Sequence, residues 1–300
     1  MNDNRDIRRG ALEMSIAMMM SGTIGWLVVS SQQPSQNVVF FRCLFGGVAL
    51  ALACAALGLL RRSLFSWRMI GLATLGSAAI VVNWVLLFAA YSRASISMAT
   101  TVYSTQPFML VALGALVFRE RIGKSTLVWL GVGFVGLVLV VKVEPAVLAV
   151  PGQYLHGVAL AAGAALLWAV SSIVTKYLKG TPPHLIALIT TATGVVMLAP
   201  FVRFDALPDS GAHWLQLATL GIVNTGLMYV LLYGAIQKLP TAMTGALSFI
   251  YPVVAIVVDR VAFGQRLAWL QVLGAAMILL AAAGVNLGWR VLPARRYSST

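Results

Sequence analysis

Ten apolar runs fill this chain, near residues 11–31, 36–60, 68–91, 95–118, 125–143, 155–178, 184–202, 213–236, 240–263 and 267–289. Each is about 18–25 residues long, which is the length a helix needs to cross the hydrocarbon core of a bilayer. Hydrophobic residues make up 60% of the chain and charged ones 10%, whereas a soluble domain carries roughly a quarter charged residues. Such a chain cannot cover itself with water-compatible surface, so most of its surface must face lipid. In lipid the backbone has to satisfy its own hydrogen bonds, and apolar runs of this kind do so as helices. The connections are short and hold turn formers or bases: Gln33-Pro34-Ser35, Leu60-Arg61-Arg62, Gly180-Thr181-Pro182-Pro183. The first run exceeds a signal-peptide core and ends in Ser30-Ser31-Gln32 without a small-x-small site, so it is expected to be a permanent span.

The net charge of +13 does not point to nucleic acid, because the basic residues sit at the ends of runs and not along one face. They report topology instead. With the N-terminus inside, 15 fall on the inner side: Arg5, Arg8, Arg9, Arg61, Arg62, Arg68, Arg119, Arg121, Lys124, Lys176, Lys179, Lys238, Arg290, Arg295 and Arg296. Five fall outside, namely Arg93, Lys142, Arg203, Arg260 and Arg266, and Arg42 lies within a run. The positive-inside bias predicts both termini in the cytoplasm. Cys43 and Cys54 share one helix about 16 Å apart, too far for a disulfide. His156, His184 and His213 sit near run ends, and no His/Cys set has metal-ligand spacing, so neither metal nor cofactor is expected.

The pentapeptide LATLG stands at Leu72–Gly76 and again at Leu217–Gly221, 145 positions on. The same offset pairs Trp84 with Tyr229, Phe88 with Tyr233, Arg93 with Lys238, Met98 with Met243, Pro107 with Pro252, and Phe118 with Phe263. A small gap also pairs Pro34 with Pro182 and Gly46 with Gly194. The chain therefore divides into two five-helix units, 1–147 and 148–300. A unit that crosses five times delivers the next one upside down. The charges agree: Arg61, Arg62 and Arg68 in the first half face only Arg203 in the second, and FRERIGK becomes FGQRLAW. The expected fold is all-α, ten transmembrane helices as two inverted five-helix repeats. Inverted repeats suit alternating access, because inward and outward states exchange the same two packings.

This architecture, with ALLWAVSSIVTKYL opening the second half and FGQRLAWLQVLGAAMILLAAAGV closing it, resembles the EamA-type members of the drug/metabolite transporter superfamily over nearly the whole chain. The closing motif departs from the family in having Gln265 where a Glu is usual; the first half keeps Glu120. The resemblance implies export of metabolites, including amino acids, across a bacterial inner membrane. The aromatic-lined members it is similar to export aromatic and other neutral amino acids.

Polar and aromatic groups inside a span are costly unless they face protein or water. Span 3 carries Asn83 and a face of Trp84, Phe88 and Tyr91; span 8 carries Asn224, Thr225, Tyr229 and Tyr233. Span 4 offers Tyr103, Ser104, Gln106 and Pro107, span 9 Thr244, Ser248, Tyr251 and Pro252, and span 6 Trp168, Ser171, Ser172 and Thr175. Spans 5 and 10 are plain Leu, Val, Ala and Gly, as suits packing or lipid contact. The expected substrate contacts are Asn83, Trp84, Tyr103, Gln106, Trp168, Ser171, Tyr229, Ser248 and Tyr251, with Pro107 and Pro252 as hinges. Against this stands the ordinary reading: Ser and Thr bond the preceding turn or glue helices, and Tyr91, Trp67, Trp129, Trp214, Trp269 and Trp289 form interfacial belts.

Charge inside the membrane is scarce. Arg42 meets Asp259 or a substrate carboxylate, or else it snorkels to the outer surface, which is the preferred expectation. Glu13 is expected to be a helix-start charge beside Arg8 and Arg9. No carboxylate lies at mid-membrane, and no basic cage for phosphate exists. Stacking, apolar contact and neutral hydrogen bonds remain, which suit a neutral or zwitterionic small molecule. Passive export is the simpler mechanism. The alternatives are a transporter of a drug, sugar or nucleotide derivative, or a membrane-embedded lipid-modifying enzyme, which would need a nucleophile or metal cluster that the spans lack. No obligate protein partner is evident, so the expected partners are the lipid bilayer and a small solute.

Overall fold

The computed structural model describes residues 2–94, 99, 102–120, 122–140, 151–263 and 268–291. Met98, Arg121, Lys142, Gln265, Arg266, Arg295 and Arg296 lie outside the described residues, as do the side chains of Tyr91, Asp259 and Arg260. Among the described residues the structure is helical, without strands. The helices are α1 (Asn2–Ser21), α2 (Ile24–Ser30), α3 (Ser35–Ala56), α4 (Trp67–Ala94), α5 (Gln106–Phe118), α6 (Lys124–Val140), α7 (Pro151–Tyr177), α8 (Pro183–Leu198), α9 (Gly211–Gly221), α10 (Met228–Lys238), α11 (Thr241–Ser248), α12 (Ile250–Phe263) and α13 (Trp269–Asn286). A π-turn over Ile222–Leu227 joins α9 to α10. Six helical stretches are long and apolar enough to cross a membrane: Asn4–Ser30, Ser35–Ala56, Trp67–Ala90, Tyr154–Tyr177, Pro183–Phe201 and Gly211–Lys238. Leu52, Leu116, Val196 and Val261 stand fully outward, an arrangement lipid accepts and water does not.

Local chemistry sets the helix ends. Pro34, Pro182 and Pro240 precede α3, α8 and α11, where a missing N–H costs nothing. Ser210 accepts a hydrogen bond from the His213 N–H at 3.3 Å and so caps α9. Gly58 (φ 65°) and Gly180 (φ 95°) terminate α3 and α7 in the left-handed region that glycine tolerates.

Two helix pairs related by the sequence repeat, α3 with α8 and α6 with α13, pack antiparallel. At the start of α3, Asn37 donates to the carbonyls of Arg203 and Ala206 beyond the end of α8, at 3.0 and 3.1 Å, and accepts from the Arg203 N–H at 2.9 Å. Further along, a methyl on Gly194 would press on Cys43 and one on Gly47 on Thr191, so residue numbers rise on one helix as they fall on the other. The plain helices α6 and α13 behave alike. Trp129 lies against Gly284, Gly133 against Ala281, and Gly136 so close to Gly274 that a Cβ would stand 2.7 Å from its carbonyl oxygen. Small residues let these backbones approach, while Val135, Val138, Leu279 and Leu280 face outward. Helix α4 runs against α7, with Gly76 on Val174 and Asn83 on Ala164. Its counterpart contact joins α10 to α1, with Gly234 near Glu13.

One end of the bundle is fastened by ion pairs. Helix α1 begins at Asn2, so Glu13 lies well inside it and is not a helix-start charge; it bonds Arg9 at 3.0 Å and also pairs with Lys238 across to α10, an interhelical tie. Glu120 receives hydrogen bonds from Lys176 and from the hydroxyl and N–H of Thr241, tying α5, α7 and α11 together. Partial burial alone would raise the Glu120 pKa; the bonds from Lys176 and Thr241 outweigh it and hold the carboxyl below the usual carboxylate range. A depressed carboxylate stabilises the fold above its unfolded pKa and loses that contribution as pH falls through the folded value. The melting temperature of detergent-purified protein should therefore exceed that of Glu120→Gln at neutral pH. The difference should shrink on acidification below about pH 4. A difference independent of pH would assign the effect to packing instead.

The interfacial tryptophans divide. Trp67 is 91% exposed and Trp269 75%, as belt residues are. Trp214 instead packs edge-on to Phe41 with ring centres 5.1 Å apart. Trp129 donates from Nε1 to the Trp289 carbonyl at 3.0 Å, which fixes α6 to the end of α13.

Candidate functional site

The centre of the bundle is an aromatic layer around a buried cation. Helix α4 presents Trp84 and α10 presents Tyr229, and their rings meet edge to face with centres 5.6 Å apart. These two residues occupy equivalent positions of the repeat. Two equivalent side chains touching one another mark where the halves meet. Tyr229 in turn lies against Tyr233, 5.3 Å between centres. The Tyr233 hydroxyl is 3.0 Å from Thr190 Oγ1, and Thr190 Oγ1 is 2.9 Å from Ser77 Oγ, a hydroxyl chain through α10, α8 and α4.

Arg42 lies over the Trp84 ring, its guanidinium carbon 4.4 Å from the ring centre. The residue is 1% exposed, so it does not snorkel, contrary to the expectation from its depth. The reason is local. A close crossing of α3 over the α9–π-turn segment, Gly46 against Gly221, aims Arg42 inward. Its Nε donates to Thr225 Oγ1 at 2.9 Å. The Thr225 hydroxyl itself donates to the Leu220 carbonyl, five residues back, at 2.8 Å, within the π-turn. Such turns often sit at functional sites. Arg42 Nη2 is buried with no hydrogen-bond partner, and no ion pair involves Arg42 among the described residues.

A second layer of polar groups adjoins the first. Asn83 donates to the Ala164 carbonyl on α7 and, at 3.4 Å, to the Tyr103 hydroxyl. Ser104 Oγ and the Tyr251 hydroxyl are 3.1 Å apart. The amide oxygens of Asn83 and Gln106 are buried with no partner among the described residues. Trp168 is buried on α7 and belongs with Trp84, Tyr229, Tyr233, Tyr103 and Tyr251 to one continuous cluster that also contains Met14 and Met18. Ser171 is buried on the same helix. The Ser248 hydroxyl is spent on the Gly245 carbonyl at 2.6 Å, and Ser172 and Thr175 bond Trp168 and Ser171 carbonyls in the same way.

Backbone irregularities cluster around these layers. A turn interrupts the helical hydrogen bonding at Ser104–Thr105 and again at Phe249, just after α11, in each case shortly before the paired prolines Pro107 and Pro252, while Thr105 and Phe249 keep right-handed dihedrals. Each proline thus stands in the first turn of the following helix and not at a kink within a continuous one. Helix α1 ends at Ser21, and Asn224 from the π-turn donates to the Met20 carbonyl at 2.7 Å and to Thr23 Oγ1 at 2.9 Å. Broken backbone at membrane depth requires protein cover of this kind.

The model of the EamA-like transporter family matches this chain twice, over residues 8–142 and 155–287. The chain is 30% identical to the transporter YxxF of Bacillus subtilis (strain 168), over 89% of this chain and 86% of that protein. It is 26% identical to a probable amino-acid metabolite efflux pump of Salmonella typhimurium (strain LT2), over 67% and 71% of the two chains. It is 22% identical to the aromatic amino acid exporter YddG of Ancylobacter novellus, over 50% and 52%. A crystal structure of a protein 21% identical superposes with a TM-score of 0.80, covering 93% of this chain and 97% of that one, a likeness of fold.

Proposed function

Because the chain belongs to the EamA-like transporter family and is a multi-pass membrane protein, we propose that it exports small neutral or zwitterionic metabolites, foremost amino acids including aromatic ones. It does so by alternating access between two inverted five-helix halves. Ten spans cross a bacterial inner membrane with both termini in the cytoplasm, the side to which the basic residues assign them. The observation that carries this reading is the contact of Trp84 with Tyr229. Equivalent residues of two antiparallel halves meet on the pseudo-two-fold axis, where substrates of such transporters bind. In this reading the substrate meets Asn83, Trp84, Tyr103, Gln106, Trp168, Ser171, Tyr229, Ser248 and Tyr251, and Pro107 and Pro252, at the breaks, let the half-helices move.

Support for amino acids comes from two relatives whose names carry that substrate. It comes also from the chemistry of the layer: rings for an apolar side chain, hydroxyls and amides for polar ends. In alternating access the ion pairs of Glu13 with Lys238 and Glu120 with Lys176 hold the cytoplasmic end shut, and their release opens it. Counterflow of radiolabelled phenylalanine in proteoliposomes tests the proposal. Uptake above protein-free vesicles that falls in Trp168→Ala is the expected result. Absence of uptake for phenylalanine and alanine alike would overturn it.

A further inference from the structure

We propose that Arg42 is the anchor for a substrate carboxylate, and hence that the transported solute must carry one. The proposal rests on the aromatic layer being the binding site. Arg42 is buried as a cation with no anion paired to it among the described residues. An uncompensated buried charge is costly. A guanidinium kept for structure alone would spend its donors on backbone carbonyls. Here Nε is held by Thr225, the face by Trp84, and Nη2 by nothing among the described residues.

The arrangement orients the group. Thr225 donates to Leu220, so its oxygen can only accept from Arg42. The indole beneath fixes the guanidinium plane. What remains is Nη2, a buried donor without an acceptor among the described residues, which a planar oxyanion would satisfy. A phosphate would need further cations, and the groups that touch Arg42 are the Trp84 ring and the Thr225 hydroxyl. A single-charged carboxylate attached to an apolar body fits. The other unpaired atoms of the site are acceptors, the amide oxygens of Asn83 and Gln106. One cationic donor and two free acceptors complement the carboxylate and ammonium of an α-amino acid.

The test uses the purified full-length protein, with thermal stabilisation by phenylalanine, phenylacetate, phenylalaninamide and alanine, and counterflow of phenylalanine with the amide as competitor. Arg42→Met keeps the stem and removes the charge; Arg42→Lys keeps the charge and loses the planar donor set. In the native protein, phenylalanine and phenylacetate should stabilise and the amide should compete about tenfold more weakly or worse. Arg42→Met should lose that discrimination while remaining folded, and Arg42→Lys should fall between. If the amide binds and is carried as well as the acid, Arg42 is not the anchor although the aromatic site stands. If alanine alone acts, and through Arg42, the anchor stands and the aromatic preference fails. If Arg42→Met keeps native discrimination, or if no member of the panel binds, the proposal is overturned.

Discussion

Trp84→Ala should reduce phenylalanine counterflow about a hundredfold, and Trp84→Phe should lie between it and the native protein. Trp84 makes two contacts at the centre of the bundle: its face carries the Arg42 guanidinium and its edge meets Tyr229. A desolvated cation–π contact contributes about 2 kcal/mol. An edge-to-face pair adds about 1 kcal/mol. Together they correspond to about two factors of ten. The variant also loses about 3–5 kcal/mol of folding stability from the cavity it leaves, so the comparison needs protein that is still folded. Trp84→Phe supplies it, because a benzene ring keeps most of the packing with a weaker cation–π face. The order Trp, Phe, Ala in transport at matched folded protein is expected. Equal transport by all three would remove this ring from the site.

Gly221→Val should abolish folding, and Gly46→Ala should cost about 3 kcal/mol or more, at the upper end of overpacking effects. A Cβ on Gly221 would stand 2.5 Å from Phe45 Cβ and 2.9 Å from both the Arg42 carbonyl oxygen and the Gly46 nitrogen. Two of those three are backbone atoms, which cannot rotate away. A Cβ on Gly46 would stand 2.7 Å from the Gly221 carbonyl oxygen. The two sites share one contact, so the double variant should cost less than the sum. Gly25, Gly71 and Gly131 are the controls, since a Cβ on each meets nothing within 4 Å. Alanine there should be neutral or stabilising by up to about 1 kcal/mol, as for any unobstructed helical glycine. Thermal melts in detergent separate the two groups. Equal melting temperatures across them would mean that the α3 crossing is looser than described.

Much of this was legible in the residues. The 145-residue offset made Trp84 and Tyr229 equivalent positions of the repeat, and the two side chains touch. It named Pro107 and Pro252, and the helices break just before each. The plainness of spans 5 and 10 suited packing or lipid contact, and α6 and α13 pack on one another through glycines while Val135, Val138, Leu279 and Leu280 face outward. Other features were not legible. The position of Arg42 in its run gives depth but not direction; its long stem reaches either the surface or the core, and the Gly46–Gly221 crossing decides between them. The π-turn over Ile222–Leu227 holds the Thr225 bond to Leu220, and neither leaves a periodicity in the residues. Asn37, Ser77 and Thr190 are polar residues in apolar runs. Their importance lies in partners more than a hundred positions away, or on other helices.

The central claim is that the two halves lie in the membrane in opposite senses. Arg62 and Asp205 sit in corresponding loops of the halves and are exposed, while the native Cys43 and Cys54 are buried and serve as a silent background. The measurement is labelling of Arg62→Cys and Asp205→Cys in bacterial cells with a membrane-impermeant maleimide, before and after permeabilisation. Asp205→Cys should label in intact cells and Arg62→Cys only once the membrane is opened; labelling of both from the same side would contradict the account.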